Sequence, residues 1–114
     1  MVLDIRLPLS FITNVSTVKR DSNQLSTIKL RVVYKDGFLY LTRRNKSSSW
    51  YKNLLKNQYV EVEIENGLLQ CEASEVVNKE ERVKISRIKF NDEKKYEDRY
   101  GFKLTIKNKI KKKA

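Results

Sequence analysis

The stretch Thr42-Arg43-Arg44-Asn45-Lys46-Ser47-Ser48-Ser49-Trp50 places three cations and three serines between an apolar run and an amphipathic one. Guanidinium forks and hydroxyls beside the free N–H groups of a helix start form a phosphate cradle, because all of them donate toward one anion. A basic, serine-capped loop without a ligand has the same composition, and the segment alone leaves both readings open. Other chemistry is scarce. The chain contains no histidine, which removes the usual general base, the commonest zinc ligand and every Ser-His or Cys-His nucleophile. With a single cysteine besides, a structural metal site is not expected. Glu61, Glu63 and Glu65 alternate with Val60, Val62 and Ile64, the pattern of a wet strand face and not of paired catalytic carboxylates. Cys71 sits in a similar alternation and reads as a small core residue.

The elements that must position these groups are mostly strands. Ile28, Leu30, Val32 and Tyr34 alternate with Lys29 and Arg31, which predicts one buried and one wet face. Asp36-Gly37 follows as a hairpin turn, and Phe38-Leu39-Tyr40-Leu41 is apolar on both faces. Such a strand needs its outer face covered by a helix, a ligand or a second chain. After residues 60–65, Asn66-Gly67 makes a second turn, and Leu69, Cys71 and Ala73 point inward on the return. Phe102, Leu104 and Ile106 give a closing strand, and an early strand is expected at residues 14–20.

Two helices interrupt this order. Serines 47–49 offer N-caps for a short helix reaching about Asn57, with Trp50, Leu54 and Leu55 on one side. Asn78 with Glu81 resembles a capping box opening a second, although Val83, Ile85, Ile88 and Phe90 form no clean stripe. Tyr96 and Tyr100, four apart, suggest a further helical turn against the barrel. Strands joined by Asp-Gly and Asn-Gly turns fit a small, mainly β barrel of about six antiparallel strands with two or three short helices.

The 114 residues suit one domain, expected over 1–108, with a basic frayed tail over 109–114. Asp4, Arg6 and Pro8 break the apolar N-terminus, so neither a signal peptide nor a membrane span is expected, and the protein is read as cytoplasmic. Twenty-five Lys and Arg against 14 Asp and Glu give a net charge of +11, which favours an anionic partner such as a phosphorylated cofactor or nucleic acid.

One segment is more specific. Trp50-Tyr51-Lys52-Asn53-Leu54-Leu55-Lys56-Asn57, followed by Val60, Val62 and Ile64, resembles the W-Y-x-N-L-x-x-N-P-x-V-x-V signature of the deazaflavin-dependent nitroreductase family. That family lies within the pyridoxamine-phosphate-oxidase-like, FMN-binding split-barrel group. The likeness stretches in strand pattern from about Thr17 to Phe102. It implies a split barrel holding FMN or a deazaflavin (coenzyme F-420), often at or near a homodimer interface, and hydride transfer to a quinone or nitroaromatic acceptor. Such chemistry is the ring's own and needs no histidine.

The resemblance also implies site residues. Thr42 and Arg43 match a small-polar-then-basic pair ending the central strand, with Arg44 beside them. Lys19-Arg20-Asp21-Ser22-Asn23 falls on the family's G-R-K-S-G loop, giving Arg20 and Ser22, and Lys29 ends the stretch matching R-T-x-P. Ser49, Trp50 and Asn53 complete the candidate cofactor-binding set. The chain departs from the family in lacking both loop glycines, in carrying Asp21 where a cation is usual, and in Gln58 replacing a proline. A cofactor-free split barrel working through protein contacts, and a basic nucleic-acid-binding module, are the alternative readings.

Overall fold

In a computed structural model of the chain, residues 7–43, 48–65, 67–89 and 100–111 are described. The strands run β1 Ser10–Val18, β2 Leu25–Lys35, β3 Phe38–Arg43, β4 Tyr59–Ile64, β5 Gly67–Glu75 and β6 Tyr100–Lys111, with helices α1 Ser49–Lys56 and α2 Lys79–Lys89 between them. All neighbours are antiparallel, and the order β1-β2-β3-β6-β5-β4 closes on itself through β4 and β1.

Alternation builds the core. Val15, Val32, Leu39, Leu41, Val60, Val62, Leu69, Cys71, Phe102 and Leu104 point inward, and α1 adds Trp50, Tyr51 and Leu54. Burial alone pushes the Cys71 thiol up to about 12, so it stays protonated, as a core residue should. The hairpin turn at Asp36 and Gly37 takes φ values of +52° and +83°, the left-handed pair a tight turn requires. Gly67 serves differently from the turn role its sequence suggests. Any Cβ there would lie 2.0 Å from the carbonyl oxygen of Ile110, so close approach to β6 demands glycine.

Several expectations are corrected. β1 starts and ends earlier than residues 14–20, because residues 19–24 form the turn, with Lys19 N–H donating to Gln24 O at 2.9 Å. Leu55 is 48% exposed, and α1 buries Tyr51 and Asn53 instead. Tyr100 opens β6 and belongs to no helical turn, while Tyr96 lies outside the described residues. Lys109, Ile110 and Lys111, expected in the frayed tail, are paired with Leu69, Leu68 and Gly67.

Phe38-Leu39-Tyr40-Leu41 finds its cover within the chain. Leu39 and Leu41 enter the barrel, whereas Phe38 and Tyr40 pack outside with Val33, Val76 and Ile85, under α2. The exposed two-sided strand that favoured a second chain is therefore absent. Asn78 caps α2 as its sequence predicts, accepting the Glu81 N–H at 3.0 Å. No helix among the described residues is long and apolar enough to cross a membrane.

One join is short. β2 and β3 pair only at Val33↔Tyr40, Tyr34↔Leu39 and Lys35↔Phe38. Residues 25–32 of β2 keep β1 as partner but lose β3, and Ile28, although opposite the buried Val15, is 43% exposed. Its expected burial fails because β3 does not extend along that half of the strand.

Candidate functional site

Chain direction carries the candidate residues to one end of the barrel. β1 and β3 finish there, β2 and β4 begin there, and α1 crosses from the end of β3 to the start of β4. Trp50, Tyr51 and Leu54 plug that end. Ser49, Asn53 and Lys56, spaced i, i+4, i+7, share a helix face that meets the β1–β2 turn.

Arg20 is the link. Its Nη1 donates to Ser49 O and to Asn53 Oδ1, each at 3.0 Å. Asn53, 4% exposed, donates from Nδ2 to Oγ1 of the fully buried Thr17 at 3.0 Å, and Lys56 Nζ donates to Arg20 O at 2.9 Å. Buried amides cost stability unless both ends are satisfied, and here Asn53 has a partner at each. Thr17 and Lys56 were missed from the sequence. Thr17 follows Val15 on the inward alternation, and Lys56 continues the i, i+4, i+7 face, so both carried a readable signal.

Around this link lies an open hollow of about 400 Å³, bordered by Lys19, Ser22, Asn23, Lys56 and Asn57, with Asp21 beside them. Ser22 Oγ accepts the Gln24 N–H at 3.3 Å, which leaves its own proton available to a ligand. The remaining candidates stand apart from the hollow. Lys29 is exposed on β2 opposite Asn14. Thr42 is buried opposite Gly101, and Arg43 ends β3 opposite Tyr100. Arg44 and residues 45–47 of the proposed cradle lie outside the described residues. Ser48 is the N-cap of α1 but makes no side-chain cap bond.

Two features bear on a phosphorylated ring cofactor. Lys19 and Lys56 flank the hollow with hydroxyl and amide donors, a set suited to an anion, although Arg20 is committed to α1 and Asp21 opposes the charge. Trp50, 3% exposed, has a buried indole N–H without an acceptor among the described residues. Its ring packs on Tyr51 and Phe102, with centroids at 5.5 and 6.5 Å. A buried donor left unpaired is uncommon, and a carbonyl or ring nitrogen of a flavin would satisfy it. Lys19, Lys56 and Ser22 fit the anionic end of such a group. No cluster able to hold a metal occurs among the described residues.

No protein-family profile and no curated protein gives a significant match to the sequence. Solved structures do match in shape. A candidate 5-nitroimidazole antibiotic resistance protein from Bacteroides thetaiotaomicron superposes with a TM-score of 0.67 at 11% identity, over 86% of this chain and 74% of that one. An F420 reductase gives 0.61 at 15% identity, over 89% and 90%. A candidate pyridoxamine 5'-phosphate oxidase from Listeria innocua gives 0.65 at 13%, over 88% and 86%. The chain has the split-barrel fold. At such identities the likeness establishes the architecture, and the split barrel's substrate and reaction must be argued from its own residues.

Proposed function

We propose that this split barrel is an oxidoreductase that binds FMN or the deazaflavin coenzyme F-420 and passes hydride to a small apolar acceptor of the quinone or nitroaromatic type. The observation that carries the reading is the Arg20–Asn53 bond, which brings the basic β1–β2 turn onto the segment that resembles the deazaflavin-dependent family. The shape likeness to an F420 reductase and to a candidate pyridoxamine 5'-phosphate oxidase supports it. The bound ring supplies the hydride chemistry.

The chain's own residues then divide the work. Lys19 and Ser22 of the turn and Lys56 of α1 would hold the anionic end, while Arg20 and Asn53 fix the turn against that helix. Trp50, which plugs the same end of the barrel, would offer its indole N–H to a ring acceptor. Ser49 anchors Arg20 through its carbonyl oxygen, while Lys29, Thr42 and Arg43 take no part in the hollow. A homodimer, as the family resemblance implies, would enclose the ring further.

Titration of the purified protein with FMN and with the deazaflavin, followed by visible absorbance and ring fluorescence, tests the reading. Saturable binding of one ring is expected, weakened about tenfold by Lys19→Ala with Lys56→Ala, because charge-assisted contacts to the anion are lost. Absence of binding by either ring overturns it.

A further inference from the structure

The opposite end of the barrel carries a second feature, independent of any cofactor. β6 outruns β3: their pairing covers Tyr100 to Leu104, while β6 continues to Lys111 against β5 alone. Residues 106–111 therefore have an edge with no strand on it among the described residues. An uncovered edge is a row of free N–H and C=O groups ready to pair with an extended segment.

A β-bulge shapes that edge. Cys71 faces Ile106, but the next residue of β5, Gln70, faces Asn108, so Lys107 is the extra residue. The bulge reverses the alternation of β6 beyond it. Lys109 and Lys111 now lie opposite Leu69 and Gly67, on the side of the sheet that faces the barrel interior. Ile110 is turned outward beside Leu68 and left 43% exposed. Without the extra residue Ile110 would share the face of Leu104 and Ile106. The arrangement thus gives up burial of an isoleucine and sets two lysines in a row along the rim. Lys107 pairs with Glu72 at 3.8 Å, whereas Lys109 and Lys111 have no acidic partner among the described residues.

We propose that the edge of β6 over residues 106–111 is a strand-addition site for an extended segment of a partner protein in which acidic and apolar residues alternate. Acidic side chains on one face of the added strand meet Lys109 and Lys111, and apolar ones on the other meet Ile110. A second copy of this edge is disfavoured, since lysine would face lysine. β4, with its alternating valines and glutamates, is a strand of the complementary pattern within the same sheet.

Fluorescence anisotropy of a labelled peptide of about eight residues alternating valine and glutamate, long enough to span the edge, tests the site on the full chain. Saturable binding is expected, lost when alternate amides along one edge of the peptide are N-methylated and kept when those of the other edge are. Lys109→Glu with Lys111→Glu is expected to weaken it about tenfold, the effect of reversing two partly screened charges. Lys109→Gln with Lys111→Gln, which introduces no repulsion, is expected to weaken it less, and circular dichroism checks that both variants fold. No saturable binding, or binding indifferent to the charge reversal or to both methylation patterns, overturns the proposal. Self-association of the glutamine variant in the absence of peptide binding by the wild type also overturns it, since the lysines then only guard the edge.

Discussion

The two helices are fastened to the same barrel in opposite ways. In α1 a helical tyrosine reaches the sheet, Tyr51 donating its hydroxyl to Glu75 Oε2 at 2.6 Å. In α2 a sheet tyrosine reaches the helix, Tyr40 donating to Glu81 Oε1 at 3.4 Å. The lengths of these bonds follow the packing beneath them. α1 sends Trp50, Tyr51 and Leu54 into the main core, with the Tyr51 and Phe102 rings 4.6 Å apart, so its polar bond is held in register by rigid neighbours. α2 rests on a separate cluster of Val33, Tyr40, Val76 and Ile85, to which it contributes Ile85 among its described side chains. One helix is therefore part of the barrel's closure, and the other is a cover laid on its outside.

That contrast can be broken at its strongest point first. Trp50→Ala empties a site in the shared core and is expected to cost about 3–5 kcal/mol of global stability by denaturant unfolding. Ile85→Ala removes a comparable buried side chain but is expected to cost about 2 kcal/mol, with faster amide exchange confined to α2. Equal global losses would erase the distinction between the two helices.

Asn53→Ala should come next. It strips Arg20 and the buried Thr17 hydroxyl of their shared partner and is expected to cost about 2 kcal/mol. Heteronuclear relaxation of residues 19–23 reads the same change, since the turn loses its hold on α1.

The smallest expected effect is alkaline. Burial first, then the neighbouring Glu81 carboxylate, pushes the Tyr40 hydroxyl up to about 12, from an ordinary 10.0. The fold thus favours the neutral phenol. Its contribution is complete below pH 10 and is lost as the pH rises through 12. Tyr51 is raised in the same direction by its burial and by Glu75. Tyr40→Phe is expected to flatten part of the stability loss over that window, at a cost below about 1 kcal/mol at neutral pH. An unchanged alkaline profile would show that Tyr40 contributes nothing to it.

How much of this could be read from the residues follows from the range of the forces involved. Alternation gave the barrel and its inward residues, and the short-range chemistry of Asp36-Gly37 and Asn78 gave the hairpin and the α2 cap. The cover over Phe38 and Tyr40 was legible as a need but not as an answer, because α2 lies some forty residues later in the chain. The candidate site divides in the same way. Arg20 meets Ser49 and Asn53 through hydrogen bonds, with Ser22 on the same turn, while Lys29 is held away by its place on β2. The Arg20–Asn53–Thr17 chain joins three elements, and no local pattern announces such a contact. The bulge at Lys107 was equally hidden, since Ile106 and Ile110 look like one face until an extra residue intervenes.

The three-pair join between β2 and β3 has a kinetic meaning. It has three pairs, as the β1–β4 join has, but it links strands adjacent in sequence, whereas the long-range β3–β6 and β1–β4 pairings close the circle. A hairpin seam nucleated by a two-residue turn re-forms on the microsecond scale, so it can part and re-zip while the distant pairings stay made. Local opening of this seam is thereby uncoupled from unfolding of the barrel: the seam works as a fast clasp on a slow ring.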